Sequence, residues 1–581
     1  MDKVKLLFIE GKIYLSYREN PNKLDLFRPL KLQKNIATGL WYANSQQAKK
    51  ILELCYEKGY LISVEEPELQ LLLGVNKDGL TDSQQEFQDK KWINHPSYSV
   101  KDSGVNRTDF HYGEEKPFNY QWACLDFAIT HNYRFLCCDP TGTGKTLEAL
   151  MTIESATHIR PVAIVTISNA LFQWKKHILN WINDANDENV SVMESLTDVP
   201  HGQYCIMTYK YMTENQSILE DYMGPNSFFI LDEFHKIANV TSNAFNVIES
   251  LGNISQGFMG LSATPLDRIR TLYPVLNILD PIEFGSFEDF SLKYCDGYFN
   301  EKTNTLVSDG LSDYYNLIEI LRNRYMIMRP KEVANIPATR EEYVYLDSDS
   351  NTIKQDIEEL NYYKERVNEI VINEGINDPY LIARMLNEDP KYKTVTDLFK
   401  NYKNNGDKKL PSVIQWLNKE IDNLKPCILF SHHISFAKEV YNHLEGMGYK
   451  GLYIDGKHSS KKKFEIQQEF MNDASNDFIV VTDGGGGAGL DFQRAKTSIS
   501  MEFPVTVKDY IQRSGRISRV GQENESVDIT LIGNSVFDKQ LFNLNISKGS
   551  VSNAIVDPRK RANKNSGFDD NFIEFISTLV D

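Results

Sequence analysis

The eight residues DPTGTGKT, 139–146, follow the apolar run RFLCC and precede a helical pattern. A phosphate-binding loop needs that context, because backbone N–H groups at a helix N-terminus wrap the phosphates and bulky side chains there would block them. Gly142, Thr143 and Gly144 make the cradle, Lys145 is placed to reach β- and γ-phosphates, and the Thr146 hydroxyl is placed to coordinate Mg²⁺. The loop opens on Asp139 where the general pattern has glycine. A second cluster, DEFH at 232–235, ends the strand-like run FFIL. Alone it reads as a solvated turn. Behind a phosphate loop, Asp232 is suited to hold Mg²⁺ through water and Glu233 to orient or deprotonate an attacking water.

The surrounding pattern must set these groups side by side. From 118 to 285, short runs rich in β-branched residues (PVAIVTI, FFILDEF, GFMGLSATP) alternate with helical stretches such as LEALMTIESA and LFQWKKHILNWI. That alternation is the signature of parallel strands joined by crossover helices. It returns from 426 in CILFSHH, AKEVYNHLEGMGY, GLYIDG, FEIQQEFMND and DFIVVTD. The expected fold class is α/β, with two parallel-sheet lobes and a small N-terminal α+β accessory domain. Residues 3–17 read as a hairpin, and Asn44 with Gln47 offers a capping box for a helix that Gly59 would stop. A further helix is expected after Thr81. The expected boundaries are 1–100 for the accessory domain, 101–117 for a linker, 118–345 for lobe one, 346–410 for a helical inter-lobe segment and 411–581 for lobe two.

The chain has 581 residues, too many for one hydrophobic core. Its net charge of −17 argues against coating nucleic acid by bulk electrostatics, so any such contact must be local. Glu10 and Lys12 interrupt the first apolar run and no stretch approaches the length of a membrane span. A cytoplasmic protein without a membrane partner is expected. The seven cysteines include no C-x-x-C pair and read as reduced core residues.

Further motifs complete a set. QRSGRISRVGQ occupies 512–522, TDGGGGAGLDF 482–492, LSATP 261–265 and PFNYQ 117–121. With the phosphate loop and DEFH, the chain from 118 onward resembles the Swi/Snf group of superfamily-two helicases and translocases, with every helicase motif in order. The stretch LDRIRTLYPVLNILDPIEFGSFEDF behind LSATP is similar to one characteristic of that group, and LRNRYMIMRPKEV to the brace after its first lobe. The resemblance implies two RecA-like lobes, ATP and Mg²⁺ as ligands, and duplex or branched DNA as partner. It puts Gln121 on the adenine and makes Arg516 and Arg519 arginine fingers reaching ATP across the lobe interface. VTISNALFQWKKHI, LYIDGKHSSKKK and the glycine run imply nucleic-acid contacts at Ser168, Lys461, Lys462, Gly486 and Gly487.

The chain departs from that pattern at Phe234, Asp483 and Ser518, where a small residue, Thr and His are usual; a divergent relative of phage or mobile-element origin would fit. An ATP-dependent helicase or double-stranded DNA translocase in replication, recombination or repair is expected. An RNA-directed helicase and a nucleotide-gated scaffold without turnover are the alternatives. The N-terminal domain is a candidate docking module for a protein partner, and a monomer is expected. Lys461–Lys463 also fits a solvated face, Trp174 and Trp181 read as core anchors, and no metal site is expected at His432 and His433.

Overall fold

The computed structural model describes residues 4–9, 12–17, 20–34, 40–64, 66–81, 84, 117–237, 243–263, 265, 269–300, 304–308, 310–329, 331–334, 336, 339–346, 365, 409–483, 489–502, 513, 515–519 and 525–533. The linker at 101–116, nearly all of the inter-lobe segment and the glycine run 484–487 lie outside them, as does most of the helix expected after Thr81.

Two all-parallel sheets form the α/β lobes. In lobe one, β6 (Arg134–Cys137), β7 (Val162–Thr166), β8 (Val190–Val192), β9 (Tyr204–Thr208), β10 (Phe228–Asp232), β11 (Gly257–Leu261) and β14 (Met326–Ile327) lie in the order β14-β6-β11-β10-β7-β9-β8. Helices cover both faces, so strands such as VAIVT are buried along their whole length. A short hairpin, β12 (Tyr298–Phe299) with β13 (Leu306–Val307), stands apart from this sheet.

Lobe two orders β15 (Thr339–Tyr345), β16 (Cys427–Ser431), β17 (Gly451–Ile454), β18 (Phe478–Thr482), β19 (Thr497–Ser500) and β20 (Ser526–Ile532) as β15-β20-β19-β16-β18-β17. This corrects the boundary at 345. Residues 339–345 pair along their full length with β20, so they are the edge strand of the second sheet. The chain enters lobe two before the inter-lobe segment. An edge strand buries one side only, and the half-exposed pattern of TREEYVY reflects that.

The N-terminal module is a five-stranded mixed sheet, β3-β4-β2-β1-β5, built from β1 (Val4–Ile9), β2 (Lys12–Ser16), β3 (Gln33–Lys34), β4 (Trp41–Ala43) and β5 (Ile62–Val64). Helices α1 (Pro21–Phe27), α2 (Ser45–Glu57) and α3 (Pro67–Leu73) accompany it, and its core unites Val4, Leu6, Ile13, Leu15, Ile51 and Leu69. The Asn44–Gln47 capping box opens α2, with both reciprocal bonds at 2.9 Å. Gly59 follows α2 with φ +65°.

This module is docked on lobe one. Asp296, almost wholly buried, accepts an ion pair from Lys23 at 2.8 Å and hydrogen bonds from Tyr60 at 2.8 Å and Asn22 at 3.2 Å, with a further bond from Asn20. The Lys58 carbonyl takes the Asp313 N–H at 3.0 Å, and a Cβ on Gly59 would come within 2.7 Å of the Tyr314 nitrogen.

Candidate nucleotide site and lobe interface

The phosphate loop leaves β6 and runs into the helix Lys145–Ser155. Gly142 and Gly144 have φ of +85° and +82°, a region that favours glycine. Space demands glycine as well. A Cβ on Gly142 would lie 2.4 Å from the Ser518 carbonyl oxygen and one on Gly144 2.7 Å from Gln121 Nε2. Thr143 is buried, with its hydroxyl on the Pro140 carbonyl at 2.9 Å, and Lys145 Nζ sits on the carbonyls of Asp139 and Pro140 at 2.8 and 3.0 Å. Thr146 stands in the first turn of the helix.

Asp139, the departure at the head of the loop, has a structural partner. Arg329, two residues beyond β14, is fully buried and donates its backbone N–H and its Nε to the Asp139 carboxylate, both at 2.8 Å. The same guanidinium pairs with Glu148 and reaches the Tyr120 carbonyl. Burial raises the Glu148 carboxyl above its ordinary range while Arg329 pulls it down. The Tyr120 hydroxyl holds the Thr143 carbonyl in turn. The helical start at 119, the loop and the far edge strand are thus fastened by one buried cation.

Gln121 is fully buried, its Oε1 accepting the Phe118 N–H at 2.9 Å and its Nε2 reaching the Thr143 carbonyl at 3.4 Å. Contact with a base would exchange both bonds. Among the described residues, Cys124, Cys137 and Glu148 make up the one buried group with metal-ligand atoms close together. Cys137 donates to Glu148 at 3.1 Å and Arg329 engages the same carboxylate, so this is core packing behind the loop. All seven cysteines are buried free thiols.

In the sheet, β11 separates β6 from β10, so DEFH (motif II) emerges with one strand between it and the phosphate loop. Asp232 Oδ2 accepts the Thr166 hydroxyl at 2.7 Å and the Trp174 indole N–H at 2.9 Å, and the second oxygen takes neither bond. Burial pushes this carboxyl above its ordinary range, with Glu233 beside it adding to the rise. Glu233 adopts φ +57°, a conformation costly for a side-chain-bearing residue, and faces His235 at 3.2 Å. His235 also meets the Ser262 hydroxyl at 3.0 Å, tying motif II to the SAT segment. Phe234, in place of a small residue, is buried beside Gly260 of β11, where a Cβ would stand 3.0 Å from its ring. One glycine makes room for the other departure. Hydroxyl and carboxylate oxygens beside a glycine cradle are donors that suit Mg²⁺ with a polyphosphate.

Lobe two meets this site directly. The ideal Cβ of Gly142 would lie 3.2 Å from Arg519 Cα, so the QRSGRISR segment abuts the loop. Arg519 donates to the Gly515 carbonyl at 2.9 Å and pairs with Asp491. Arg516 is buried, donates to the Leu490 carbonyl at 2.8 Å, and is pulled down to about 10 by burial and the neighbouring Arg519. Asp483 also acquires a reason. Arg513, fully buried, grips it through Nε and a terminal nitrogen at 2.9 and 2.7 Å. Arg513 stands in the motif quoted from the sequence, yet only this carboxylate reveals its task. His432 joins Asp483 at 3.2 Å and His433 joins Glu502.

Ser168 is exposed in the 3₁₀ turn Ser168–Ala170, on which the helix Ser460–Asn472 packs. Lys461 and Lys462 are exposed in the first turn of that helix. Lys463 behaves differently: it is buried, and its Nζ crosses between lobes to Asn169 Oδ1 at 3.1 Å. The three-lysine run is therefore not one solvated face. Gly486 and Gly487 lie outside the described residues.

Residues 120–386 match the family model of the SNF2-related domain, and residues 408–521 that of the helicase conserved C-terminal domain. The two matches take in the DPTGTGKT loop, DEFH and the QRSGRISR segment. Among curated proteins, it is 24% identical over 449 residues to the SWI/SNF-related matrix-associated actin-dependent regulator of chromatin subfamily A-like protein 1 of Drosophila melanogaster, covering 75% of this chain and 55% of the relative. It is 25% identical over 452 residues to the human DNA annealing helicase and endonuclease ZRANB3, covering 75% of this chain and 40% of that protein. The match thus spans about half or less of these relatives. A solved structure of the Sulfolobus solfataricus SWI2/SNF2 ATPase core in complex with dsDNA aligns at 18% identity with a TM-score of 0.35, covering 78% of this chain and 96% of that one. Among the described residues, no helix is long and apolar enough to cross a membrane.

Proposed function

We propose that this chain is an ATP-dependent DNA helicase or double-stranded DNA translocase, coupling ATP hydrolysis to movement on DNA in replication, recombination or repair. The observation that supports the reading is the close approach of Ser518 and Arg519 to Gly142, which sets second-lobe residues against the glycine loop of the first. Lys145 binds the β- and γ-phosphates, Glu233 orients or deprotonates the attacking water, and Gln121 lies on the base side. Arg516 and Arg519 stabilise the charge that develops as the γ-phosphoryl departs. Thr146 and, through water, Asp232 would hold Mg²⁺, which would neutralise phosphate charge. Because the arginines ride on lobe two, the nucleotide state sets lobe closure, and closure moves Ser168, Lys461 and Lys462 along a nucleic-acid backbone.

The test is the steady-state ATPase rate of the full chain alone and with duplex DNA, single-stranded DNA or RNA, with Lys145→Ala as control. Stimulation by duplex DNA that vanishes in the variant is expected. Stimulation by RNA alone would replace the reading with an RNA-directed helicase. No turnover under any condition would leave a nucleotide-gated scaffold.

A further inference from the structure

Adjacent residues of the helix Leu171–Trp181 look toward different parts of the machinery. Gln173 Nε2 reaches Asp491 Oδ2 of lobe two at 3.4 Å, and Asp491 also pairs with Arg519. Lys176 Nζ meets Gln468 at 2.7 Å, and the rings of Phe172 and Phe464 stand 6.2 Å apart. Trp174 turns inward, 2% exposed, and gives its one polar hydrogen to Asp232 Oδ2.

A residue that served only as a core anchor would need no N–H there, since Leu or Phe fills apolar space without a donor to satisfy. An indole N–H on a buried carboxylate is instead a charge-assisted bond with a defined direction. With Thr166 on the same oxygen, two donors fix the carboxylate plane and direct the other oxygen. Partners of this kind, behind a carboxylate that would hold an ion through water, orient that carboxylate.

We infer that Trp174 is a positioning residue that fixes Asp232 for the metal ion, and that its helix ties this orientation to the contact with lobe two. The inference rests on the ATP site proposed above. Closure pressing on Phe172, Gln173 and Lys176 shifts the same rigid turn that carries the indole. Contact with Arg519 and Asp491 thereby tightens the setting of Asp232 that Trp174 and Thr166 already provide.

The experiment titrates Mg²⁺ against binding of a fluorescent ATP analogue by the full chain. Trp174→Phe keeps a ring and removes the donor; it is expected to raise the half-saturating Mg²⁺ about tenfold or more while metal-free nucleotide affinity holds. Trp174→His restores a ring N–H and is expected to recover part of the loss. Thr166→Val, which removes the other donor to the same oxygen, gives the same rise and serves if the tryptophan variants do not fold. An unchanged Mg²⁺ requirement in a folded Trp174→Phe would overturn the positioning role while the ATP site stands. A parent protein whose nucleotide binding ignores Mg²⁺ would overturn both. Gln173→Ala touches neither motif II carboxylate; it is expected to lower stimulation by duplex DNA severalfold with the basal rate retained, and stimulation equal to the parent's would remove the tie to lobe closure.

Discussion

Asp296→Asn tests whether the N-terminal module is a fixed part of lobe one. The substitution preserves shape and removes the charge that Lys23 meets inside the interface, where both side chains are at most 1% exposed. Breaking a buried pair by removing one partner costs about 3–5 kcal/mol, because the other charge is left without compensation. Asn20, Asn22 and Tyr60 donate to the same carboxylate and lose charge assistance together, which places the cost toward the upper end. At about 1.4 kcal/mol per decade, this shifts the docking equilibrium by roughly two to four decades. Amide hydrogen exchange is the assay: protection should fall at residues 56–62 and 296–315 while the strands β6, β7 and β10 keep theirs. Parental protection on both sides of the interface would refute the argument and show that docking rests on the surrounding packing.

Asp528, a buried residue of β20 opposite Ser498 of β19, has its carboxyl pushed up to about 6 by burial, against the opposing Ser498 hydrogen bond. A carboxyl raised in the fold costs stability as pH rises from its unfolded value of 3.8 through about 6, so Asp528→Asn is expected to stabilise by about 1–3 kcal/mol at pH 7.5 and by about half as much at pH 5. Melting curves of both proteins at the two pH values decide it, and a pH-independent difference would sink the idea. Gly260→Ala puts a Cβ 2.6 Å from Leu136 Cδ2 and 3.0 Å from the Phe234 ring, so it is expected to cost about 1–3 kcal/mol. Denaturant melts of Gly260→Ala, Phe234→Leu and the double variant should be non-additive, and strict additivity would show that the ring does not feel the methyl group.

The strands around both sheets and the local geometry of the DPTGTGKT loop were legible because their signals are local: a β-branched run, a turn, a glycine where a side chain cannot fit. The Asn44–Gln47 box was read for the same reason, since four consecutive residues contain the whole interaction. What escaped was long-range. Lys23 and Asp296 lie far apart in sequence, and neither carries a local mark of the other. Residues 339–345 joined the second sheet through a partner almost 190 positions away, which nothing in their own seven residues marks. Trp174 was read correctly as buried, yet apolar periodicity says nothing about where an indole hydrogen goes. Lys463 looked like its two neighbours because a run of identical residues hides the helical turn that sends every third or fourth side chain inward.

The meeting of Gly142 with Ser518 divides freedom to vary unequally between the lobes. What lobe two presents there is a main-chain carbonyl, which every amino acid possesses, so the contact is indifferent to which side chain position 518 bears. The opposite wall has no such latitude, since φ and space both reserve position 142 for glycine. The contact itself therefore constrains position 142 and not the side chain at 518, and a chain can depart from its relatives at 518 while presenting the same main-chain oxygen to the loop.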